Sequence, residues 1–477
     1  MTLQTELSTS SIAITPHQSW RNASHLVAVP IGAGAWRTAN VLAAPLVRIH
    51  WQSLVAPPAF YELLGLYLIS SARLDHLQQL NEAMDWVERI CRSNVQLSRE
   101  ADVLLRYLLA RCHADRGDYE HALADIRAIR VAHASPATRS RVALLTARIL
   151  ARRGDLPAAM DSAGLACRLA ASADTPALEG DCYVALANVL SLKRDFDGAQ
   201  KTLDCAARAY WKASDSSGRA MCLTNQASQY LHLGRPGQAK AVLEDAIRLS
   251  KDSGRSITAL AARIASGWLA ALESDLKGAR RFLLPSMREA RRNRLPREEA
   301  LCLEYLADAY LQVGNEPLHL CRAAIAVRLL GRIATRLSAR GDLALEWKLR
   351  RAKLLLSVGE YRECLDMLDS VIRSARQQEM PWEEAQGLRL KGTALFHLGM
   401  KRDAVAAFSR ALAVFEGLGE CLESRLIGGW LAFLDSEGTQ STIVDENLSS
   451  GLCAYFRHPV FAPWSEPRGL DKLTRIE

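Results

Sequence analysis

Apolar residues recur along the chain at helical spacing and do not alternate as they would in a β-strand. Ala159 and Ala166 lie seven residues apart, and Ala199 and Leu203 repeat the start of the same arrangement forty residues later. Residues four or seven apart lie on the same side of a helix, so each segment presents one continuous apolar stripe. The pattern therefore predicts an all-α protein.

Short turns interrupt these stripes at a nearly constant interval. Successive turns start 37, 40, 40, 40, 40, 45 and 40 residues apart, and a fixed period of roughly 20 to 50 residues indicates a repeat array. Gly suits the left-handed residue that often ends a helix, and an acidic residue just after it suits the start of the next. Each turn therefore separates a helix A from a helix B. The turns start at Gly117, Gly154, Arg194, Gly234, Ser274, Gly314, Gly359 and Gly399.

Small residues occupy fixed positions around these turns. A small side chain lies seven residues before each turn, where two closely approaching helix backbones tolerate nothing larger. Alanine recurs five residues after most turn starts, and in most repeats a larger apolar residue follows it four positions later. The residues before the turns are Ala110, Ala147, Ala187, Ala227, Gly267, Ala307, Ala352 and Gly392, and the alanines after them are Ala122, Ala159, Ala199, Ala239, Ala279 and Ala404.

These positions resemble the signature of the tetratricopeptide repeat (TPR), in register over about residues 99–418. The resemblance implies an α-solenoid, a right-handed superhelix of helix pairs whose helices A line a concave groove. The usual repeat has about 34 residues, whereas this one mostly has 40. It is similar to the long-repeat arrays of maltose-activator-type bacterial regulators and of eukaryotic polarity scaffolds. The early Trp of the signature is absent, and His319 replaces an Ala, so we expect a distorted repeat after Gly314.

The chain divides into four regions. Residues 1–58 are predicted to be a variable, partly disordered N-terminal region, 59–98 a divergent helix pair, 99–435 the TPR-like solenoid with its closing helix, and 436–477 an irregular C-terminal tail. Terminal units of a solenoid cover an apolar face that has no further neighbour, so their atypical sequences need no functional explanation. With no secretory signal and no uninterrupted apolar span of about 20 residues, we expect a cytoplasmic protein without a membrane span.

Composition adds little beyond the fold class. Hydrophobic residues make up 49% of the chain but aromatic residues only 6%, which suits helices packed through Ala, Leu, Val and Ile. A net charge of +8 over 477 residues is too mild an excess to indicate nucleic-acid binding. The eleven cysteines are scattered without a CxxC pair, which is typical of a chain kept reduced and argues against disulfides and a structural zinc.

No arrangement of residues indicates catalysis. The sequence has no Gly-rich phosphate-binding loop, no HExxH motif, no GxSxG elbow and no EF-hand loop. Cys112, His113 and Asp115 form the nearest cluster, but side chains at these positions of one helix do not converge on one point. We therefore expect a protein that is not an enzyme and that needs no cofactor or metal.

The resemblance assigns groove-facing positions on helices A. Asn188 and Asn225 fall where amides in this family bind the backbone of a peptide, because an amide both donates and accepts hydrogen bonds; an inter-repeat hydrogen bond is an equal alternative. Arg111, Arg148 and Arg152 make that end of the groove cationic and favour an acidic segment, unless they are simply solvated. The candidate groove residues are Arg111, Arg148, Arg152, Asn188, Asn225, His232, Trp268 and Lys353.

A second candidate site is a run of basic residues after the turn at Ser274. By the resemblance it lies on a helix B, on the convex side of the array. Such a patch suits nucleic acid or an acidic protein. Because no aromatic residues are interleaved for base stacking and no helix-turn-helix unit is recognisable, we favour a protein partner. The patch comprises Arg280, Arg281, Arg288, Arg291, Arg292 and Arg294.

Two functions remain open at the level of sequence. The first is an interaction scaffold that binds a peptide or helix of a partner protein in the concave groove. The second is a sensor or regulatory module of a transcriptional or signalling system. Regulators with long-repeat arrays usually carry an ATPase and a DNA-binding domain, and this chain shows neither, so such a module acts through a separate effector polypeptide. The sequence identifies neither the partner nor the oligomeric state.

Overall fold

In the computed structural model of the protein, the described residues are almost entirely helical and contain no β-strand. Much of residues 1–58, predicted to be partly disordered, falls outside the described residues. So does the predicted irregular tail at 436–477, except for Ser436, which is helical. The structure describes residue 23 and residues 26–28, 36–49, 58–73, 86–93, 97–129, 134–253, 256–314, 316–337, 342–418 and 421–436.

Nineteen helices with defined bounds follow one another through the described residues. The first ten are α1 (Trp36–Ile49), α2 (Pro58–Arg73), α3 (Arg99–Asp115), α4 (Tyr119–Ala128), α5 (Pro136–Arg152), α6 (Leu156–Ser172), α7 (Pro176–Leu192), α8 (Phe196–Lys212), α9 (Ser216–His232) and α10 (Pro236–Ser253). The others are α11 (Ser256–Leu272), α12 (Leu276–Arg292), α13 (Pro296–Gln312), α14 (Pro317–Leu337), α15 (Asp342–Val358), α16 (Tyr361–Gln377), α17 (Pro381–His397), α18 (Lys401–Gly417) and α19 (Cys421–Ser436).

Helices α3 to α18 form eight consecutive pairs, and α19 closes the array. The first helix of each pair packs on the first helix of the next pair, whereas consecutive second helices of the described array make no comparable contact. First helices therefore line the concave face and second helices the convex face. This arrangement confirms the predicted all-α solenoid. Among the described helices, none combines the length and apolar character that a membrane crossing requires.

The turn residues adopt the backbone conformation that the sequence indicates. All eight predicted turn starts have a positive φ, from 58° at Ser274 to 128° at Gly314. Six are glycines, which reach this region without steric cost. The aspartates that follow four of the turns cap the second helix of the pair, because their carboxylates accept the backbone N–H three residues on at 2.8–3.3 Å. These capping residues are Asp118, Asp155, Asp195 and Asp275.

The small residues before the turns lie at the crossings between paired helices. All six alanines at this position are fully buried. At Gly392 there is no room even for a methyl group, because a Cβ there would lie 2.8 Å from Cδ1 of Phe408 on the paired helix. Phe408 is the aromatic variant of a position that is Leu in several other repeats. Glycine at 392 therefore makes room for a larger partner.

Helix α14 contains the expected distortion. It has 21 residues, whereas α12 and α16 have 17 each. Its last residue, Leu337, packs on the first turn of the array, where a Cβ on Gly117 would lie 1.9 Å from Cδ2 of Leu337. The C-terminal end of this longer helix therefore contacts a residue several repeats earlier, across one turn of the superhelix.

The N-terminal helices extend the core of the first repeat. Ala39 and Ala43 of α1 are fully buried, as is Leu64 of α2. The Nδ2 of Asn40 donates to the hydroxyl oxygens of Ser70 and Ser71, at 3.0 and 2.8 Å. Part of the region predicted to be variable is therefore a helix of the N-terminal core.

Candidate binding groove

The first three candidate groove residues are arginines on α3 and α5. The Nε of Arg111 lies 3.6 Å from Oδ2 of Asp115, one turn further along the same helix. Arg148 and Arg152 are partly buried on α5, and neither forms an ion pair with a described residue. Arg152 also lines a small cavity beside Asp115 and Leu337. This end of the candidate groove therefore has two cations that form no ion pair with a described carboxylate.

The two asparagine side chains follow on α7 and α9. Asn188 is exposed and Asn225 is partly buried, and neither amide hydrogen-bonds to a described residue. The inter-repeat hydrogen bond between these helices is made by other residues, with Nε2 of Gln229 donating to Oγ of Ser191 at 3.2 Å. Both asparagine amides are therefore available to bind a peptide backbone.

An aromatic cluster comes next and includes two of the candidate groove residues. The rings of His232 and Trp268 are 4.8 Å apart and meet edge to face. Trp268 stacks on Tyr305 of α13, with ring centroids 5.2 Å apart and ring planes 5° from parallel. The rings of Phe196 and His232 are stacked, with centroids 6.0 Å apart. We call Phe196, His232, Trp268, Tyr305 and Trp382 the aromatic cluster.

Arg194 connects this cluster to a distant helix. Its guanidinium lies 4.3 Å from the ring centroid of Trp382, and its Nη2 lies 3.6 Å from Oε1 of Glu383. Both charged side chains are almost fully buried, at 6% and 5% exposure. Arg194 belongs to the turn before α8, whereas Trp382 and Glu383 begin α17, so the contact joins successive turns of the superhelix.

His232 is held neutral in this setting. Burial, together with the nearby Arg194 guanidinium, lowers the pKa of His232 well below its usual value. Nη1 of Arg194 lies 3.2 Å from Nδ1 of His232, so Arg194 donates this hydrogen bond and the unprotonated Nδ1 accepts it. The imidazole therefore packs as an uncharged aromatic ring.

Lys353, the last candidate groove residue, belongs to an ion network between α13 and α15. Its Nζ lies 3.0 Å from Oδ1 of Asp308. Arg350 binds the other oxygen of Asp308 at 2.9 Å and Oε1 of Glu304 at 2.8 Å, and it also pairs with Glu346 on its own helix. The network thus contains two cations and three carboxylates.

These charges stabilise one another. Burial alone would raise the pKa of the Asp308 carboxyl, but Arg350 and Lys353 hold that pKa below its usual value. Burial and the adjacent Arg350 lower the pKa of Lys353, against the opposing effect of Asp308. Breaking a buried pair leaves an uncompensated charge, so we expect this part of the groove to be rigid. Unlike Arg148 and Arg152, Lys353 is already engaged within the chain.

The basic patch lies on the convex face, on α12 and the turn that follows it. All six of its arginines are exposed. Arg291 is engaged with Glu299, with Nη2 and Oε1 2.7 Å apart. The other five form no ion pair with a described residue: Arg280, Arg281, Arg288, Arg292 and Arg294.

The described residues contain no group of three or more His, Cys, Asp or Glu side chains that is placed to hold a metal ion. Nine of the cysteines in the described part of the chain are free thiols. Burial raises the pKa of Cys112 and Cys182 to about 12, so these two behave as small core residues.

Comparison with solved structures identifies the fold. No protein-family model matches the sequence, and no curated protein matches it. A crystal structure of Rap protein complexed with competence and sporulation factor is similar, with a TM-score of 0.51 and 11% identity over 85% of this chain and 99% of that one. The chain has a TPR-like helical-repeat fold.

Two other solved structures align over similar lengths. The apo form of the quorum sensor NprR from B. thuringiensis gives a TM-score of 0.41 at 12% identity, covering 88% of this chain and 99% of that one. Yeast Tom70 gives 0.40 at 12% identity, covering 87% and 88%. At such low identity, similarity concerns the fold alone.

Proposed function

We propose that this TPR-like array is a non-enzymatic interaction scaffold that binds an extended segment of a partner protein in its concave groove. The observation that carries the proposal is a set of groove side chains with no partner among the described residues. Arg148 and Arg152 form no ion pair with a described residue, and Asn188 and Asn225 form no side-chain hydrogen bond with one. Polar groups concentrated on a concave surface suit the backbone and side chains of a bound peptide.

The order of these groups suggests what the segment contains. Arginines on α5 favour a carboxylate, the amides on α7 and α9 favour peptide groups, and Trp268 on α11 favours an apolar or aromatic side chain. Neighbouring packed helices lie about 8 to 10 Å apart, so α5 to α11 spans about 24 to 30 Å. An extended chain covers that distance in about eight residues. We therefore propose an acidic residue at one end of the segment and an apolar residue at the other.

Affinity capture from the native host, followed by mass spectrometry, tests this proposal. The full chain is compared with two groove variants, Asn188→Ala/Asn225→Ala and Trp268→Ala, and with the control Gln200→Ala, whose amide makes an exposed hydrogen bond to Asp204 on α8. We expect the groove variants to lose specific partners that the control retains. Undiminished capture of every partner by both groove variants excludes the groove as the binding site.

A regulatory role is the second candidate, because the groove residue His232 touches Arg194, which joins two turns of the superhelix. A segment that displaces His232 therefore changes a contact that sets the curvature of the array. The Rap protein with this fold is complexed with competence and sporulation factor, so such an array can hold another molecule. We place this chain in the cytoplasm, with the maltose-activator-type arrays as its proposed relatives. Small-angle X-ray scattering with and without the captured segment tests the change of curvature.

A further inference from the structure

Positive charge on the convex face of the array is concentrated on two neighbouring second helices. Residues 276–294, on α12 and its following turn, contain seven basic residues and one acidic residue. Residues 317–337, on α14, contain four basic residues and no acidic residue. These segments carry a net +10, which exceeds the +8 of the whole chain. The remainder of the protein is therefore slightly acidic, and the cations are concentrated here.

The only carboxylate on α12 does not offset these cations. Glu289 forms an ion pair with Arg263 of α11. Its negative charge therefore offsets an arginine of the preceding helix and not the arginines of the convex face. Arg332 and Arg336 of α14 are exposed, and neither forms an ion pair with a described residue. Most of the cations on this surface therefore remain available to an external carboxylate.

Apolar side chains interrupt the arginines on the outer face of α14. Leu318 is 56% exposed and Ile325 is 53% exposed, unusually high values for such residues in a packed array. Positions 318, 322, 325, 332 and 336 fall on one side of a helix with 3.6 residues per turn. They form a single stripe, which reads Leu, Arg, Ile, Arg and Arg. Four of its members are exposed, whereas Arg322 is partly buried, with its guanidinium 5.9 Å from the ring centroid of Tyr310.

We propose that this stripe, flanked by the exposed arginines of α12, is a docking surface for an acidic amphipathic segment of a partner protein. The combination of Arg with exposed apolar residues is typical of protein interfaces, which are enriched in Arg and depleted in Lys. Here ten of the eleven basic residues are Arg. The guanidinium fork binds carboxylates in bidentate geometry. Leu318 and Ile325 find an apolar complement in a protein helix but none in a phosphate backbone.

This surface is separate from the proposed groove. It lies on second helices, which form the convex face, whereas the groove residues lie on first helices. The two surfaces are therefore expected to bind independently, and loss of one leaves the other intact. The Asn188→Ala/Asn225→Ala variant provides that control.

Fluorescence anisotropy with three labelled probes tests the proposal on the full chain. The first probe is a helical peptide with Glu on one face and Leu on the other, the second is a poly-Glu peptide of equal charge, and the third is a short DNA duplex. We expect the amphipathic peptide to bind about tenfold or more tightly than either of the others. Equal binding of poly-Glu, tighter binding of DNA, or no binding of the amphipathic peptide overturns the proposal.

Two surface variants and a matched control locate the binding. Leu318→Ser/Ile325→Ser removes the apolar part, and Arg292→Glu/Arg332→Glu reverses charge on both helices. Each is expected to weaken binding of the amphipathic peptide about tenfold or more. The control, Arg402→Glu/Arg410→Glu, makes the same charge change at exposed positions of α18 and is expected to change affinity less than twofold. An equal loss in the control and in Arg292→Glu/Arg332→Glu, with no loss in Leu318→Ser/Ile325→Ser, would mean that net charge, and not this stripe, determines binding.

Discussion

The guanidinium group of Arg194 lies 4.3 Å from the ring centroid of Trp382, although helices α8 to α16 separate them along the chain. Arg194 also adopts a φ of 65°, a conformation that costs a residue with a Cβ about 1–2 kcal/mol. Six of the other seven turn starts are glycine. Because the side chain of Arg194 also contacts Trp382 and Glu383, we infer that these contacts offset the strain of its backbone.

Replacement of Arg194 by glycine tests that role. Arg194→Gly relieves the backbone but leaves Glu383 buried without this cation, so we expect a net loss of about 2 kcal/mol in the free energy of unfolding. The matched control is Ser274→Gly, at another turn start with a φ of 58°, which is expected to stabilise by about 0.5 kcal/mol. Denaturant unfolding measures both, and stabilisation by Arg194→Gly would contradict a structural role for this contact.

The lowered pKa of His232 leads us to predict that the stability of the protein depends on pH. Burial and Arg194 lower the pKa of His232 well below 6.5, whereas the unfolded chain titrates near 6.5. Between those two pKa values the unfolded state binds more protons, so the free energy of unfolding falls as the pH falls through 6.5. We expect a decline from pH 7.5 to 5.5 with a slope of up to about 1.4 kcal/mol per pH unit from this group.

Urea unfolding at several pH values measures this decline. His232→Asn retains an acceptor for Arg194 but does not titrate, so its decline should be shallower. His121→Asn is the control, because this imidazole is exposed and the neighbouring Asp118 raises its pKa. An unchanged pH dependence in His232→Asn would show that the ring of His232 is not held neutral in the folded protein.

The crossing at Gly392 predicts opposite effects for two Gly→Ala changes. An added Cβ at Gly392 would lie 2.8 Å from the Phe408 ring, whereas one at Gly428 on α19 meets nothing within 4 Å. We expect Gly392→Ala to destabilise by about 1–3 kcal/mol and Gly428→Ala to stabilise by up to about 1 kcal/mol. Thermal unfolding measures both, and Phe408→Leu is expected to rescue part of the loss in Gly392→Ala. If Phe408→Leu does not restore any stability to Gly392→Ala, the destabilisation is not caused by a clash with Phe408.

The buried thiols predict a pattern of chemical reactivity. Burial raises the pKa of Cys182 and of Cys364 to about 12, and both side chains are fully buried. Iodoacetamide reacts with the thiolate, so at pH 8 these residues should remain unmodified until the protein is unfolded in guanidinium. Peptide mapping by mass spectrometry measures the modification, with the partly exposed Cys205 and Cys321 as internal comparisons. Rapid native labelling of Cys182 would contradict its placement in the core.

The helix pairs could be predicted from sequence because the determining interactions are local. A left-handed residue ends one helix, an aspartate begins the next, and small residues recur where the two helices cross. The same register assigns Trp268 to the first helix of its pair, and α11 contains it. Each assignment depends on residues within one repeat, so the sequence pattern of one repeat contains the necessary information.

The contacts between superhelical turns could not be predicted in this way. Arg194 appears in the sequence only as an irregular turn residue, and Glu383 only as an acidic residue in the first turn of a helix. Their meeting depends on small rotations between neighbouring repeats, accumulated over the whole intervening array. The one indication in the sequence is that Arg194 stands where glycine is usual. Such an exception is a reason to look for a distant partner.

Leu337 and Arg194 each touch residues that lie a full superhelical turn away. An open solenoid gains or loses units easily during evolution, because each unit meets only its immediate neighbours. Here, after the removal of a single unit, each remaining unit would still pack on its neighbour. Leu337 and Arg194, however, would no longer lie opposite the residues that they contact one superhelical turn away. The number of repeats is therefore under the same kind of constraint as the identity of a core residue.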